Sequence, residues 1–512
     1  MTNGTALLSS KVRLRLRILV TVLLACVTAQ AAPPNRTSAI DTLMTTLYEG
    51  GQFNGAILVA ARDDIVYRKG FGKADVKTAI KFTPDTPCDI GSLTKQFTAM
   101  AIMILAERKR LSYDDPVSKY IPEFSAASHL DRITIRQLLT HSSGLPDYGD
   151  LGVDDSSLNQ SSLIAALLKR DTGFAPPGVK YRYSNPGYAL LAVVVQRKSG
   201  KRFGDFLGQE IFGPSGMTNT FVYDDRAVKR RGMAIGYDMF GQLDDGPPTA
   251  VPGDGGIYST VDDLFKWDQV LYTDKLVHQS TLAEAFTPGR VKEGTSEYGF
   301  GWNVGLDGTD KYVWHTGSHA GFRAFIERRL NRQVTVIMLT NMGNSKRPEI
   351  NAAIQNILAG RPYVLPKKSG AQELYRTIHE SGMKVALARY QAMKKGSEYE
   401  LAESELNTLG YQLLYVDRNA SEAVAIFKLN SIEHPESSNA LDSLGEAYQV
   451  NRERDLATAS YESALKLDPS NGHAAVMLKK LRLSRWVPLS ICIIGAAGVL
   501  ALSAALVLRK RL

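Results

Sequence analysis

Residues 92–107 read Ser-Leu-Thr-Lys-Gln-Phe-Thr-Ala-Met-Ala-Ile-Met-Ile-Leu-Ala-Glu, and this stretch decides how we interpret the fold. The pattern predicts a helix from Leu93 to Arg110, with the basic residues Arg108 to Arg110 gathered at its end, which suits the negative end of a helix dipole. Ser92 and Lys95 lie three residues apart at the start, so both side chains share one face of the helix. Because a serine hydroxyl is a poor nucleophile without a neighbouring base, the pair is a candidate nucleophile and proton acceptor.

The Ser-x-x-Lys spacing alone is weak, because it also occurs at 381–384 and at 463–466. We interpret the first of these as an exposed helix start and the second as part of a repeat helix. Tyr183-Ser-Asn185 strengthens the case for Ser92, since it is the only Tyr-x-Asn in the chain. A phenol near a lysine ammonium can serve as general base and later as acid to a leaving group. The Asn185 amide can bond both the lysine and a substrate.

His315-Thr316-Gly317-Ser318 follows an apolar strand-like run and predicts a strand edge that a substrate backbone can approach. A main-chain N–H there can complete an oxyanion hole with the N–H of Ser92. The Lys-Ser-Gly triplets at 198–200 and 368–370 lack this strand context, as the first ends a helix and the second lies in a linker. His315 and His319 are four residues apart, but the glycine between them argues against a helical metal pair. We expect no metal and no cofactor.

The region 35–362 has a mixed pattern that predicts an α+β or α/β domain. A helix is indicated at 40–48. Strands are indicated at both ends of the region, at 55–61, 65–68, 322–328 and 333–339. The stretch Pro362 to Gly370 is a predicted linker.

Residues 371–485 are helical and repetitive. Small and aromatic residues in the second half fall at the spacing of a tetratricopeptide repeat: Leu444-Gly445, Tyr448, Ala457, Tyr461, Ala464 and Pro469. Repeats are predicted at 404–437 and 438–471, and Ala386 and Tyr390 are interpreted as remnants of a third. Because two repeats are too few to stand alone, we expect this module to pack on the preceding domain or on a protein partner.

Both ends of the chain indicate a membrane. Residues 1–31 resemble an export signal, with four basic residues, an apolar run and Ala29-Gln-Ala31 as cleavage site. An uncleaved anchor and lipidation at Cys26 are the alternatives. Residues 487–508 carry no charge and are long enough to cross a bilayer as a helix, with Arg509-Lys-Arg511 behind them. We therefore expect a single-pass protein of the cell membrane, with its catalytic domain on the extracytoplasmic side.

The net charge of +9 does not indicate nucleic acid. Four of these charges lie at residues 11–17 and three at 509–511, which leaves too few for a polyanion-binding surface. Of the three cysteines, Cys26 and Cys492 lie in the two apolar ends, so Cys88 is alone in the body. No intrachain disulfide framework or cysteine-based zinc site is expected.

The order Ser-x-x-Lys, Tyr-x-Asn, His-Thr-Gly resembles the serine β-lactamase and penicillin-binding protein superfamily. Tyr-x-Asn is similar to the class C β-lactamase and D-Ala-D-Ala carboxypeptidase branch. The residues around the motifs agree with this resemblance: 138–146 (Leu-Leu-Thr-His-Ser-Ser-Gly-Leu-Pro), 177–178 (Pro-Gly), 255–263 (Gly-Gly-Ile-Tyr-Ser-Thr-Val-Asp-Asp) and 321–322 (Gly-Phe). The resemblance implies an α/β sandwich, in which an antiparallel sheet is flanked by helices, and an all-helical lobe that bears Tyr183.

The resemblance also implies roles for the motif residues. Ser92 would be acylated, Lys95 and Tyr183 would manage its proton, and Asn185 would position substrate. Residues 315–318 would line the pocket, with the backbone N–H groups of Ser92 and Ser318 forming the oxyanion hole. Many β-lactamases have lysine where His315 stands, and a histidine of unperturbed pKa near 6.5 is only about a quarter protonated at pH 7. This departure favours a carboxypeptidase, D-aminopeptidase or esterase over a β-lactamase.

Two functions follow from the sequence. The first is an exported, membrane-anchored serine hydrolase that forms an acyl-enzyme on an amide or ester, with a D-amino-acid peptide or carboxyl ester favoured over a β-lactam. The second is a non-catalytic ligand-binding receptor or scaffold that uses the repeats to bind a protein. The complete set of candidate catalytic residues favours the hydrolase.

Overall fold

The computed structural model describes residues 35–484, apart from 128, 152–157, 171–174, 224–231 and 247–250. The predicted signal at 1–31 and the predicted membrane helix at 487–508 lie outside these residues. Within the described part, no helix has the length and apolar character needed to cross a membrane. The chain divides into two compact units between Pro366 and Lys367, which is inside the stretch interpreted as a linker.

The first unit is built around a six-stranded antiparallel sheet. The strands of the whole unit, inside and outside this sheet, are β1 (Gly55–Ala61), β2 (Asp64–Phe71), β3 (Lys73–Asp75), β4 (Ile80–Lys81), β5 (Cys88–Asp89), β6 (Phe221–Val222), β7 (Ile257–Ser259), β8 (Asn303–Asp307), β9 (Asp310–His319), β10 (Phe322–Arg329) and β11 (Val334–Thr340). The order in the large sheet is β2-β1-β11-β10-β9-β8, and every neighbouring pair is antiparallel. Since β8 pairs with residues 310–314 of β9, residues 315–319 extend beyond it.

The helices of this unit lie before, between and after these strands along the chain. They are α1 (Arg36–Glu49), α2 (Thr94–Glu107), α3 (Ile135–Leu139), α4 (Tyr148–Leu151), α5 (Gln160–Lys169), α6 (Asn185–Ser199), α7 (Phe203–Leu207), α8 (Gly213–Ser215), α9 (Val261–Val270), α10 (Gln279–Ala285) and α11 (Arg347–Leu358). Three 3₁₀ turns (Gly91–Leu93, Val117–Lys119 and Pro122–Ala126) and one π turn (Gly208–Phe212) complete the unit.

The central strands are buried on both faces, because side chains that alternate along a strand enter two different cores. On β1, Leu58 packs into the core formed with α2, α6 and α9, whereas Ile57 and Val59 pack into the core formed with α1 and α11. Helices therefore cover both faces of an antiparallel sheet, as the sandwich prediction expected.

Helix α2 lies at the centre of the larger core. Its residues from Thr94 to Leu105 are at most 2% exposed, so the helix needs no polar stripe. It ends at Glu107, three residues earlier than the sequence pattern predicted, and Lys109 has a φ of +56° that a right-handed helix does not permit. Helix α6 contacts α2 and begins at Asn185, with Ser184 as its N-cap.

The second unit is built mainly from helices. They are α12 (Gly370–Ser381), α13 (Met383–Met393), α14 (Glu403–Tyr411), α15 (Ala420–Glu433), α16 (Ser438–Val450), α17 (Arg454–Leu467) and α18 (Gly472–Ser484), with strands β12 (Lys368–Ser369) and β13 (Tyr399–Glu400) and a π turn at Gln412–Val416. At two places a glycine on one helix lets the aromatic ring of a neighbouring helix pack closely against it: Gly410 packs against Phe427, and Gly445 packs against Tyr461. The spacing from Gly410 to Gly445 is one residue longer than the repeat period of 34. The π turn, which accommodates one extra residue in a helix, lies between these two glycines.

Candidate active site

Ser92 lies in the 3₁₀ turn that leads into α2. Gly91 has a φ of +50°, and its N–H donates to Asp89 Oδ1 at 2.7 Å, which makes the turn tight. A Cβ placed on Gly91 would lie 2.7 Å from the Ser318 nitrogen on β9. Gly91 and Leu93 are buried, whereas Ser92 is partly exposed. The turn therefore presents the serine hydroxyl beside the projecting end of β9.

Lys95 is fully buried and directed at Ser92. Its Nζ lies 3.0 Å from Ser92 Oγ, 2.8 Å from Asn185 Oδ1 and 2.8 Å from the main-chain oxygen of Asp254. The last two oxygens can only accept, so they take two N–H groups of Lys95. The remaining position of the nitrogen faces Ser92, either as a third N–H or as the lone pair of a neutral amine. This geometry allows Lys95 to take the serine proton.

Asn185 is held by a residue that the sequence analysis missed. Its backbone N–H donates to Asp147 Oδ1 at 3.0 Å, and its side-chain Nδ2 donates to Asp147 Oδ2 at 3.2 Å. Because the carboxylate accepts from the NH₂ group, the amide oxygen of Asn185 is turned towards Lys95. Asp147 and Asn185 are 38 residues apart, so no local spacing connects them.

Tyr183 lies against Lys95 within an aromatic cluster. Lys95 Nζ is 5.0 Å from the centre of the Tyr183 ring, a cation–π distance. The ring also lies 4.1 Å from the His141 ring. His141 accepts from the Ser184 N–H at Nδ1, and burial and the charge of Lys95 lower its pKa well below the usual value. His141 is therefore neutral, and the sequence analysis assigned it no role.

His315 on β9 is buried, at 3% exposure. Its Nδ1 lies 2.6 Å from the carbonyl oxygen of Thr316, and its Nε2 lies 2.9 Å from the Tyr298 hydroxyl. Since the carbonyl can only accept, Nδ1 carries the hydrogen and Nε2 accepts from Tyr298. Burial and then the charge of Lys95 lower the pKa of His315 to about 3. The unperturbed pKa used in the sequence analysis was wrong for this position, and His315 is neutral at pH 7.

Gly317 brings β9 against the turn that carries Ser92. A Cβ at this position would lie 1.9 Å from the Ile90 carbonyl oxygen, so a larger residue would push the strand away. Ser318 follows as an exposed residue, and its nitrogen faces Gly91. Thr316, next to His315, is half-buried. The backbone nitrogens of Ser92 and Ser318 thus lie on neighbouring segments, where an oxyanion hole can form.

Asp254 is a second carboxyl group that the sequence analysis did not single out. Its main-chain oxygen binds Lys95, and its side-chain Oδ1 is buried without a hydrogen-bond partner. Burial raises its pKa to about 6. The stretch 255–263 quoted in the sequence analysis begins one residue after Asp254, and no sequence pattern marked this aspartate. Among the residues that the structure describes, no group of three or more His, Cys, Asp or Glu side chains could hold a metal ion.

Comparison with known proteins agrees with this fold. The Beta-lactamase family model matches residues 39–360, and the chain belongs to that family. It is thus a serine hydrolase-type domain of the β-lactamase and penicillin-binding protein superfamily, and the predicted β-lactamase/transpeptidase-like fold is confirmed.

Several individual proteins are similar to this chain. The chain is 33% identical over 358 residues to Penicillin-binding protein 4* of Bacillus subtilis (strain 168), a match that covers 65% of this chain and 78% of that protein. The structure of an octameric penicillin-binding protein homologue from Pyrococcus abyssi is similar, with 27% identity, a TM-score of 0.57 and coverage of 67% and 81%. A penicillin-binding protein from Bacillus halodurans has 27% identity, a TM-score of 0.54 and coverage of 61% and 98%.

Proposed function

We propose that this protein hydrolyses an amide or ester through an acyl-enzyme on Ser92. The contact between Lys95 Nζ and Ser92 Oγ, with the other two directions of Lys95 taken by carbonyl oxygens, carries the proposal. Lys95 Nζ takes the hydroxyl proton while Ser92 Oγ bonds to the substrate carbonyl carbon. The N–H groups of Ser92 and Ser318 bind the oxygen that becomes negative.

Collapse of the tetrahedral intermediate breaks the bond to the leaving group, which receives a proton through Lys95 and Tyr183. Water then attacks the ester carbon of the acyl-enzyme, with the same groups taking its proton, and this proton passes to Ser92 Oγ as its bond to the acyl carbon breaks. Asn185 holds Lys95 and presents its amide to the substrate. In this assignment His315, Thr316, Gly317 and Ser318 line the substrate strand, and no cofactor takes part.

The substrate class follows from the charge of His315. A neutral imidazole cannot form an ion pair with a substrate carboxylate, and the pKa of about 3 keeps it neutral at physiological pH. We therefore favour a D-amino-acid peptide or a carboxyl ester over a β-lactam, in a D-aminopeptidase or esterase-type enzyme. A carboxypeptidase-type enzyme would have to bind the terminal carboxylate of its substrate through hydrogen bonds rather than through an ion pair with His315. The Tyr-x-Asn motif supports placement in the class C β-lactamase and D-Ala-D-Ala carboxypeptidase branch.

We further propose that the enzyme is exported and tethered by residues 487–508, and that the second unit is a tetratricopeptide-repeat module for a protein partner. The paired helices α14–α15 and α16–α17 coincide with the predicted repeats at 404–437 and 438–471. The packing of Gly410 on Phe427 and of Gly445 on Tyr461 supports this interpretation, since it joins a small residue to an aromatic one in each pair. Extraction of the full chain from membranes at high pH tests the anchor, because a spanning helix resists it and a peripheral protein does not.

Hydrolysis of a small activated ester by the full chain tests the nucleophile. Ser92→Ala should abolish turnover, because no other group holds the hydroxyl that Lys95 activates. Ser381→Ala is the matched control, since it removes the serine of another Ser-x-x-Lys triplet and should leave the rate unchanged. Undiminished hydrolysis by Ser92→Ala would refute the mechanism and favour the ligand-binding receptor.

A matched pair of substrates tests the charge argument. N-acetyl-D-alanyl-D-lactate and its C-terminal carboxamide share the scissile ester and differ in one negative charge. With neutral His315, the carboxamide should have a kcat/KM at least equal to that of the carboxylate. A strong preference for the carboxylate, about tenfold or more, would correspond to about 1.4 kcal/mol of charge recognition and would contradict the assignment.

A further inference from the structure

We infer that Arg347 is a positioning residue of the oxyanion hole, which holds the Gly317 carbonyl so that the Ser318 N–H faces Ser92. This inference rests on the proposed acyl-enzyme function and adds to it a residue outside the three sequence motifs. Arg347 is the first residue of α11. The buried apolar residues of this helix pack in the smaller core, whereas Ile90 and Leu93, on either side of the turn of Ser92, pack in the larger core on the other face of the sheet.

The hydrogen bonds of Arg347 converge on the strand that carries the motif. Its Nη1 donates to the carbonyl oxygens of Gly317 and Ala324, the latter at 2.6 Å. Its Nη2 lies 3.4 Å from Ser318 Oγ. Gly317 and Ala324 are directly opposed in the β9–β10 pairing, so one guanidinium group holds both strands at the level of the oxyanion hole.

The environment of Arg347 is unusual for a purely structural arginine. The residue is only 8% exposed, its hydrogen bonds go to neutral oxygens, and its Nε is buried without a hydrogen-bond partner. By contrast, Arg328 on the same strand pair is matched with the buried carboxylate of Asp268 at 2.5 Å. Burying a guanidinium without a hydrogen-bonded carboxylate costs stability, and burial lowers the pKa of Arg347 to about 10. A role in holding the Gly317 carbonyl explains why a guanidinium is buried here despite that cost.

The direction of the effect follows from the peptide bond. The Gly317 C=O and the Ser318 N–H belong to one planar trans peptide and point in opposite directions. The oxygen binds Arg347, and the nitrogen faces Gly91, the residue before Ser92. Arg347 therefore aims the N–H at the turn that carries the nucleophile.

Gly317 makes such a restraint useful. The position requires glycine, because Ile90 O occupies the place of a Cβ, and glycine restricts its own backbone less than any other residue. The β9–β10 pairing restrains this residue, and the guanidinium adds a second hold on its carbonyl. It also withdraws electron density from the oxygen, which strengthens the N–H on the other side as a donor.

The experiment compares an aryl ester with its thionoester, in which sulfur replaces the carbonyl oxygen, in the full-length wild type, Arg347→Met, Arg347→Lys and Arg323→Met. An oxyanion hole built from N–H donors prefers oxygen to sulfur, so the oxo/thiono ratio of kcat reports its alignment. Loss of one oxyanion donor costs about 10²- to 10³-fold in kcat, and misalignment should cost at least about tenfold. In Arg347→Met we expect kcat for the oxoester to fall by that amount, KM to change less than about threefold, and the ratio to fall about tenfold.

Arg347→Lys keeps a cation near the Gly317 carbonyl and should recover part of the ratio. Arg323→Met is the matched control, because the Arg323 guanidinium binds the carbonyls of Ala320 and Phe322 on the same strand pair but not that of Gly317. An unchanged ratio in Arg347→Met would overturn the inference, and if Arg347→Met does not fold, Arg347→Gln, which also removes the cation, takes its place. Ser92→Ala is measured alongside: hydrolysis that does not depend on Ser92 refutes the proposed function itself, whereas Ser92-dependent hydrolysis with an unchanged ratio refutes only the role of Arg347.

Discussion

Removal of the Asp147 carboxylate should slow hydrolysis without unfolding the protein. Asp147 accepts two hydrogen bonds from Asn185, one from its backbone N–H at 3.0 Å and one from its side-chain Nδ2 at 3.2 Å. The second bond decides which end of the amide faces Lys95. In Asp147→Ala the amide can turn its NH₂ group towards the lysine, which then loses one of its two carbonyl acceptors.

The size of the effect follows from the kind of bond that is lost. A hydrogen bond to a charged group contributes about 1.5–3 kcal/mol. If that amount is lost from the transition state, kcat falls by about 10- to 150-fold, since each 1.36 kcal/mol is a factor of ten. The backbone bond at the start of α6 is an N-terminal helix contact, and its loss should cost about 1 kcal/mol in stability.

The assay is kcat for a small ester, together with thermal unfolding, in Asp147→Ala, Asn185→Ala and the double variant. The effects should not add, because both substitutions remove the same arrangement of Lys95. Asp150→Ala is the control, as this nearby aspartate binds Arg182 on the exposed surface. A rate for Asp147→Ala within about threefold of wild type, or fully additive losses of about 1.4 kcal/mol or more each, would refute the reasoning.

Two further predictions concern stability. Asp268→Ala leaves Arg328 buried without its partner. Since the two side chains are 1% and 0% exposed, chemical denaturation should show a loss of about 3–5 kcal/mol. A loss below about 1 kcal/mol, as expected for the exposed ion pair between Arg376 and Glu380, would contradict this. Asp89 raises the pKa of His319, so their contact stabilises the folded state below the ordinary value of 6.5 and is lost as the pH rises through the raised pKa. The stability difference between wild type and His319→Gln should therefore be larger at pH 5.5 than at pH 9, and a difference that grows with pH would reverse the assigned sign.

Local pattern was sufficient for the elements that position the site. The strand predicted at 55–61 is confirmed with the same bounds, and the predicted helix at 40–48 lies within Arg36–Glu49. These succeed because alternation and helical periodicity record which faces of one segment are buried. The end of α2 was predicted too late, since an apolar segment followed by basic residues carries no mark for the left-handed backbone at Lys109.

The sequence by itself determined the chemistry-bearing residue types and the resemblance that joins Ser92, Lys95, Tyr183 and Asn185. Only the tertiary structure decided their environment. Asp147 became a partner of Asn185, and His315 became neutral rather than partly charged. The physical reason is that hydrogen-bond partners far apart in sequence, and the desolvation that moves a pKa, depend on how segments pack, and local spacing does not record that packing.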